Sequence, residues 1–455
     1  MRHNERIGFG SKLGAILAAA GSAVGLGNIW RFPYEVGNHG GAAFILIYLG
    51  CVFILGVPIM IAEFVVGRKA KASTGEAFNV LAPKTPWKWV GYLGVLTGFL
   101  ILGYYSVVAG WTLEYIFQAL SGSFLGSAEG DFVTLFKNFS THPLRPLVCL
   151  LVFVLATHWV VVRGVQKGIE RSSKLLMPLL FALILILAVC AVMLPGAEKG
   201  IRFLLQPDFS KLDSEVFLGA MGQAFFSLSL GMGCLSTYAS YFGKESRLAH
   251  TAVSVGLIDT FVAVLAGLII FPAAFSVGIS PDSGPSLVFI TLPNIFHQAF
   301  AGIPLIGYVC SVLFYLLLAL AALTSTISLH EVSTAFLHEK FVGDLHHAHV
   351  VEVGRAGRIA AVGRPAVTEP QRADDLGSPV VLRKEVEMER RPVPEVGAVE
   401  EFRGAPELLL GHVEQDGAAP LVLRNVRIFD LGIHAVHLVG FQPRKLLFDA
   451  HAATA

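Results

Sequence analysis

Within long apolar stretches of this 455-residue sequence, a few residues carry chemistry that hydrocarbon rarely tolerates. The first stretch holds Gly21-Ser22-Ala23-Val24-Gly25-Leu26-Gly27-Asn28, and a later one Ser227-Leu228-Ser229-Leu230-Gly231-Met232-Gly233. Both put clustered glycines and short polar side chains at mid-membrane depth. Glycine costs up to about 1 kcal/mol inside a helix, and unwound backbone at that depth persists only where it is buried in protein or lines a cavity. Such openings would turn carbonyl oxygens inward. Close helix packing is the competing reading, because Gly21-x-x-x-Gly25 also fits a small-residue seam. Asp259 is a carboxylate near mid-membrane, where charge costs about 2.5–3.5 kcal/mol on the insertion scale and calls for a partner. Thr324 and Ser325 add two hydroxyls, which could equally bond back to their own helix. Oxygen donors without soft ligands suit a hard cation. The five cysteines sit in apolar runs without C-x-x-C spacing, so neither a disulfide framework nor a transition-metal site is expected from them.

The elements that must hold these residues are membrane helices. The chain is 54% apolar and 15% charged with mean hydropathy +0.65, against about 25% charged residues in an ordinary soluble protein. Nucleic acid is not an expected partner of a chain with net charge +1. Stretches long enough to cross the hydrocarbon occur near 11–37, 42–67, 89–121, 144–162, 173–194, 216–241, 251–277 and 303–338. The N-terminus and every second connection together carry 14 Lys and Arg against 5 in the others, which places the N-terminus in the cytoplasm by the positive-inside rule. No cleavable signal peptide is visible. The expected location is the cell membrane, inner or plasma, as a multi-pass protein surrounded by lipid bilayer. Spans one and six stand five helices apart, at equivalent places in two successive five-helix units of opposite orientation. Interrupted helices at corresponding positions point to a transporter's central site.

The run Gly25-Leu26-Gly27-Asn28-Ile29-Trp30-Arg31-Phe32-Pro33 resembles the first-helix signature of the neurotransmitter:sodium symporters, bacterial leucine-transporter type. Tyr104-Tyr105 with Trp111, the stretch Gln223 to Gly233, and Ala321-Ala322-Leu323-Thr324-Ser325 resemble the same family in the same order. The resemblance covers about residues 5–340 and implies an all-α polytopic membrane protein. Its fold would be the LeuT-type inverted five-helix repeat, incomplete at about eight transmembrane helices, with helices 1 and 6 broken. The implied activity is sodium-coupled symport of a neutral hydrophobic or aromatic L-amino acid by alternating access, and not an enzymatic one. By resemblance, a first sodium would use Ala23, Asn28, Ser227, Asp259 and the substrate carboxylate. A second would use Gly21, Val24, Ala321, Thr324 and Ser325. Many relatives carry a neutral Asn where Asp259 stands and some need chloride, so its extra charge implies that chloride is not required. The substrate carboxylate would meet the amides around Leu26 and Gly27 and the Tyr105 hydroxyl. The ammonium would meet carbonyls around Phe226 and Ser229. Ile101, Phe226, Met232 and Leu329 would line the side-chain pocket, and Ala23, Ser227 and Ser325 complete the substrate set. Phe226 and Arg31 would form the outer gate. Arg6 would pair with Glu339 beside Tyr241 at the inner one, unless Arg6 is simply one of the positive-inside charges.

The sequence departs from the family after about residue 343. Residues 344–455 hold 29 of the 67 charged residues and none of the Trp, Tyr or Cys. The domains are therefore a core at 1–343, with a first repeat at about 11–194 and a partial second at about 216–340, and a tail at 344–455. The tail reads as a cytoplasmic regulatory domain, a disordered extension or out-of-frame translation. His346-His347-Ala348-His349 admits a metal reading without further ligands at convincing spacing. No second half of the outer gate is identifiable, because the family draws it from a tenth helix. A non-transporting amino-acid-binding membrane protein, or an inactive truncated transporter, is the alternative function. The identity of the amino acid and the oligomeric state stay open.

Overall fold

The computed structural model describes residues 8–124, 131–278 and 287–342, and among them every regular element is helical. Arg6 and the whole tail at 344–455, with its histidine cluster, lie outside the described residues.

The chain enters α1 (Lys12–Ala23) through Ser11, whose hydroxyl caps the helix by accepting from the Gly14 N–H at 3.0 Å. An alanine-rich run propagates the helix until Val24 turns extended, with ψ 109°. The chain then resumes as α2 (Gly27–Asn38), bent by 50° from α1. Pro33, near the start of the regular part of α2, lacks the N–H that an interior position would require.

The second break has a different local cause. Helix α10 (Ser214–Ser227), capped by the Asp213 carboxylate, stops before a turn in which Ser229, Gly231 and Gly233 all have positive φ, at 55°, 74° and 78°. Glycine takes that region freely, whereas Ser229 is held there by donating its hydroxyl to the Ser22 carbonyl at 2.9 Å. Seven residues then form α11 (Cys234–Ser240).

Around these broken helices stand α3 (Ala42–Ala70), α5 (Lys88–Leu120), α7 (Arg145–Val162), α8 (Val165–Val192), α12 (Leu248–Ser276) and α14 (Pro304–Leu337). These six are long and apolar enough to cross a membrane, and the bent α1–α2 pair makes a seventh span. The eighth expected span is α10 with α11, at 14 and 7 residues. Each half is shorter than the roughly 20 residues a crossing needs, so length alone does not reveal it. Shorter helices α4 (Thr74–Leu81), α6 (Asp131–Ser140), α9 (Ala197–Leu205) and α13 (Leu287–Ala299) connect the spans. Broken helices pack against α3, α8, α12 and α14, with α5 reaching the first opening through Tyr105, and this central group carries the polar residues singled out in the sequence.

Candidate functional site

Unwinding at Val24–Leu26 frees backbone groups in the interior, and two of them find partners on other helices. The Leu26 N–H donates to the Tyr105 hydroxyl of α5 at 2.7 Å. The Ser325 hydroxyl of α14 is a second hydrogen-bonding neighbour of Tyr105, and both residues line the adjacent cavity. The Val24 carbonyl accepts from both Thr324 and Ser325 of α14, each at 3.3 Å. Gly25 has no room for a side chain, since a Cβ would lie 2.6 Å from the Tyr105 hydroxyl and against Ser325 Oγ.

Asn28 and Asp259 are both fully buried and face one another. The Asn28 side-chain oxygen accepts from the Gly25 N–H at 3.1 Å, while its amide donates to the Asp259 carboxylate at 2.7 Å and to the Asp259 carbonyl at 3.0 Å. Ser227 adds its hydroxyl to the carboxylate at 2.8 and 2.9 Å, and Tyr48 of α3 at 3.0 Å. Three neutral side chains hydrogen-bond this buried carboxylate, and a cation joining it would take the place of some of these bonds. This donor set is all oxygen and amide, which fits sodium and not a soft metal. Ala23 lies beside Ser227 at the cavity wall.

The second predicted cradle is also assembled. Thr324 packs its Cβ against Gly21, and its hydroxyl donates to the Ala321 carbonyl at 2.9 Å as well as facing Val24. Both predicted behaviours of Thr324 thus coexist: it bonds back to its own helix and reaches across to the opening in helix one.

Between the two cradles is a small cavity of about 20 Å³, room for about one water molecule and well below the 300–1,000 Å³ typical of open ligand pockets. Ala23, Gly27, Ile101, Tyr105, Phe226, Ser227, Ser229, Met232, Ser325 and Leu329 line it, together with Ser22 and Gly25, which the sequence reading did not assign to substrate. Leu26, assigned to the substrate set from sequence, is not in the lining, and its N–H is held by Tyr105. No charged side chain is in the lining. Phe226 covers Gly27 so closely that a Cβ there would meet its ring at 2.9 Å.

On the outer side Arg31 lies over the Phe226 ring, 5.2 Å from its centre, and donates to the Gly222 carbonyl at 3.2 Å. The acid it meets is Glu35, one turn further on its own helix at 3.4 Å. The i,i+4 spacing could have found this pair from sequence. Just beyond the span, His39 hydrogen-bonds Glu35, which raises its pKa above the ordinary histidine value. On the inner side, Tyr241 donates to Glu331 at 2.6 Å. Glu339 accepts from the Ser73 N–H at 2.8 Å, and its expected partner Arg6 lies outside the described residues. The two acids are eight residues apart on one helix, and spacing alone does not choose between them.

A family model described as the sodium:neurotransmitter symporter family matches residues 6–127 and 139–355. The chain is 43% identical over 336 residues to an uncharacterized sodium-dependent transporter, YhdH, of Bacillus subtilis, covering 74% of this chain and 73% of the relative. It is 31% identical over 306 residues to the sodium-dependent neutral amino acid transporter B(0)AT2 of Mus musculus, covering 59% and 40%. A crystal structure of MhsT in complex with L-phenylalanine aligns with TM-score 0.68 and 49% identity, over 74% of this chain and 75% of that one.

Proposed function

The chain belongs to the sodium:neurotransmitter symporter family, and from that premise we propose that it carries a neutral apolar or aromatic L-amino acid across the cell membrane with two sodium ions by alternating access. The observation that carries this reading is the cavity itself. Its wall holds the Tyr105 hydroxyl, itself anchored by the Leu26 N–H, and the opened backbone at Gly25 and Gly27 for a carboxylate, while Ile101, Phe226, Met232 and Leu329 offer an uncharged side chain only apolar surface.

Coupling follows from adjacency. Ser227 belongs both to the cavity wall and to the Asn28–Asp259 cluster. A substrate carboxylate and a sodium ion bound there would complete each other's site, so each raises the other's affinity by the same factor. The second ion would join α1 to α14 through Val24, Thr324 and Ser325. Asp259 supplies a fixed negative charge beside the first ion, and transport therefore proceeds without chloride. The N-terminus faces the cytoplasm, in line with the distribution of Lys and Arg in the connections. Two relatives agree with this substrate class: MhsT is named with L-phenylalanine, and B(0)AT2 as a neutral amino acid transporter.

Proteoliposomes containing the full chain provide the test. An inward sodium gradient should drive accumulation of radiolabelled phenylalanine or leucine, potassium should not replace sodium, and exchanging chloride for gluconate should leave uptake intact. Sodium-dependent binding without accumulation would favour the non-transporting alternative, and loss of uptake in gluconate would remove the role given to the Asp259 charge.

A further inference from the structure

Away from the cavity, α7 and α14 meet along a polar seam. Thr157 and Thr326 share a hydrogen bond at 3.1 Å, and one turn further along α14 His330 stacks on His158, with ring centres 5.2 Å apart and planes at 27°. The facing nitrogens, His158 Nδ1 and His330 Nε2, are 3.2 Å apart. His330 Nδ1 is 2.8 Å from the Thr334 hydroxyl. The Thr334 hydroxyl can accept from His330 Nδ1, and in that tautomer His330 turns a lone pair from Nε2 toward His158.

We propose that His158 and His330 form a two-histidine site for a borderline divalent transition metal, with zinc as the representative ion, that pins α7 to α14. Zinc binds imidazole nitrogen at about 2.0–2.1 Å, so two nitrogens on one tetrahedral ion stand about 3.3 Å apart. The observed separation already matches that span, and the ion replaces the bridging proton without moving either helix. His158 shifts its Nδ1 proton to Nε2, so both facing nitrogens present lone pairs and no net proton is released. Thr334 fixes the tautomer and orientation of His330, the usual office of a group behind a metal-bound imidazole. No third histidine, cysteine or carboxylate joins them among the described residues, so water completes the coordination. His158 is exposed and His330 half-buried, four residues from the end of α7, and the neighbouring Trp159, a residue type enriched at the membrane–water interface, carries the Arg163 guanidinium 3.6 Å above its ring, which places the pair within reach of interfacial water. Leu329 and Ser325 of the same helix line the substrate cavity, so an ion here holds a wall of that cavity to α7.

The experiment uses the full chain carrying His346→Gln, His347→Gln and His349→Gln, which removes the clustered imidazoles of the tail, titrated calorimetrically with zinc chloride. One site should be lost or weakened at least tenfold by His158→Gln and equally by His330→Gln, with the pair no worse than either alone. His158→Cys should retain it, because thiolate also binds zinc. Zinc should raise the thermal midpoint of the parent and not of His158→Gln. Unchanged stoichiometry and affinity in His158→Gln, or no binding by the parent, overturns the proposal. His158 lies on the exposed surface, so its substitution reads the site even where His330→Gln does not fold.

Discussion

Asn28 joins the opened backbone of helix one to the buried carboxylate on α12, and no other residue of the described site does both. Replacing it with alanine removes an oxygen from the proposed first ion site and leaves the Asp259 carboxylate short of a donor. We expect Asn28→Ala to lose sodium-dependent amino-acid binding in a scintillation proximity assay while still reaching the membrane. Binding that survives with unaltered sodium dependence would dissociate Asn28 from the ion. Tyr105→Phe is a milder change. It removes one hydrogen bond to a carboxylate, worth about 1.5–3 kcal/mol when the acceptor is charged, so affinity should fall by about 10- to 150-fold at saturating sodium. An equal affinity would return Tyr105 to a packing role. At this scale the sequence was readable where a residue sat inside a distinctive run, as Asn28, Ser227 and Thr324 do. Tyr48 was not readable. It stands in Ala43-Phe44-Ile45-Leu46-Ile47-Tyr48-Leu49, where a tyrosine looks like ordinary apolar core, and only the approach of α3 to α12 brings its hydroxyl to Asp259.

Elements are positioned by close approach as much as by hydrogen bonds. On α3, Gly67 rests against the backbone of Ser236 on α11; a Cβ would lie 2.7 Å from the Ser236 carbonyl carbon and closer still to its oxygen. Backbone cannot rotate away as a side chain can. Gly67→Ala should therefore separate the inner half of helix six from α3, at a cost of about 1–3 kcal/mol typical of overpacking, read as a lower thermal midpoint in detergent. Gly50→Ala on the same helix meets nothing within 4 Å and should leave the midpoint unchanged or slightly raised. A second test concerns α2. His39 lies beyond its end, stacked on Phe44 and hydrogen-bonded to Glu35, with the Asp213 charge nearby. Its folded pKa is raised above about 6.5, so its contribution to stability is complete below that value and is lost as pH rises through the folded pKa. The wild-type midpoint should fall relative to that of His39→Gln between pH 6 and 8.5, and parallel profiles would detach His39 from Glu35. Helix boundaries were largely legible from hydropathy because lipid imposes length. The break between α10 and α11 was legible through its glycines, although neither half passes as a span on its own.

As a whole, the described core gathers residues from α1, α5, α10, α12 and α14 around one cavity, and no single helix contains the site. The sequence named most of the lining because signature runs place residues in known registers. It did not decide pairings such as Tyr241 with Glu331, which depend on how far two helices have rotated against each other. A site divided among helices also makes ligand binding a whole-molecule property. Anything that binds only the folded arrangement stabilises it by RT ln(1 + [L]/Kd), about 2.7 kcal/mol at a hundredfold excess over Kd. Sodium should therefore raise the thermal midpoint of the purified chain on its own, through the α1–α14 cradle and the Asp259 cluster. Phenylalanine or leucine should raise it further in sodium and have no effect in potassium, because the amino-acid carboxylate shares its site with the first ion. The sodium increment without amino acid should persist in Tyr105→Phe, whose hydroxyl holds the Leu26 N–H and is assigned to neither ion, and shrink in Asn28→Ala. An amino acid that stabilises equally in sodium and potassium would show that the two ligands occupy independent sites, and the coupling argued from Ser227 and Asn28 would fail with it.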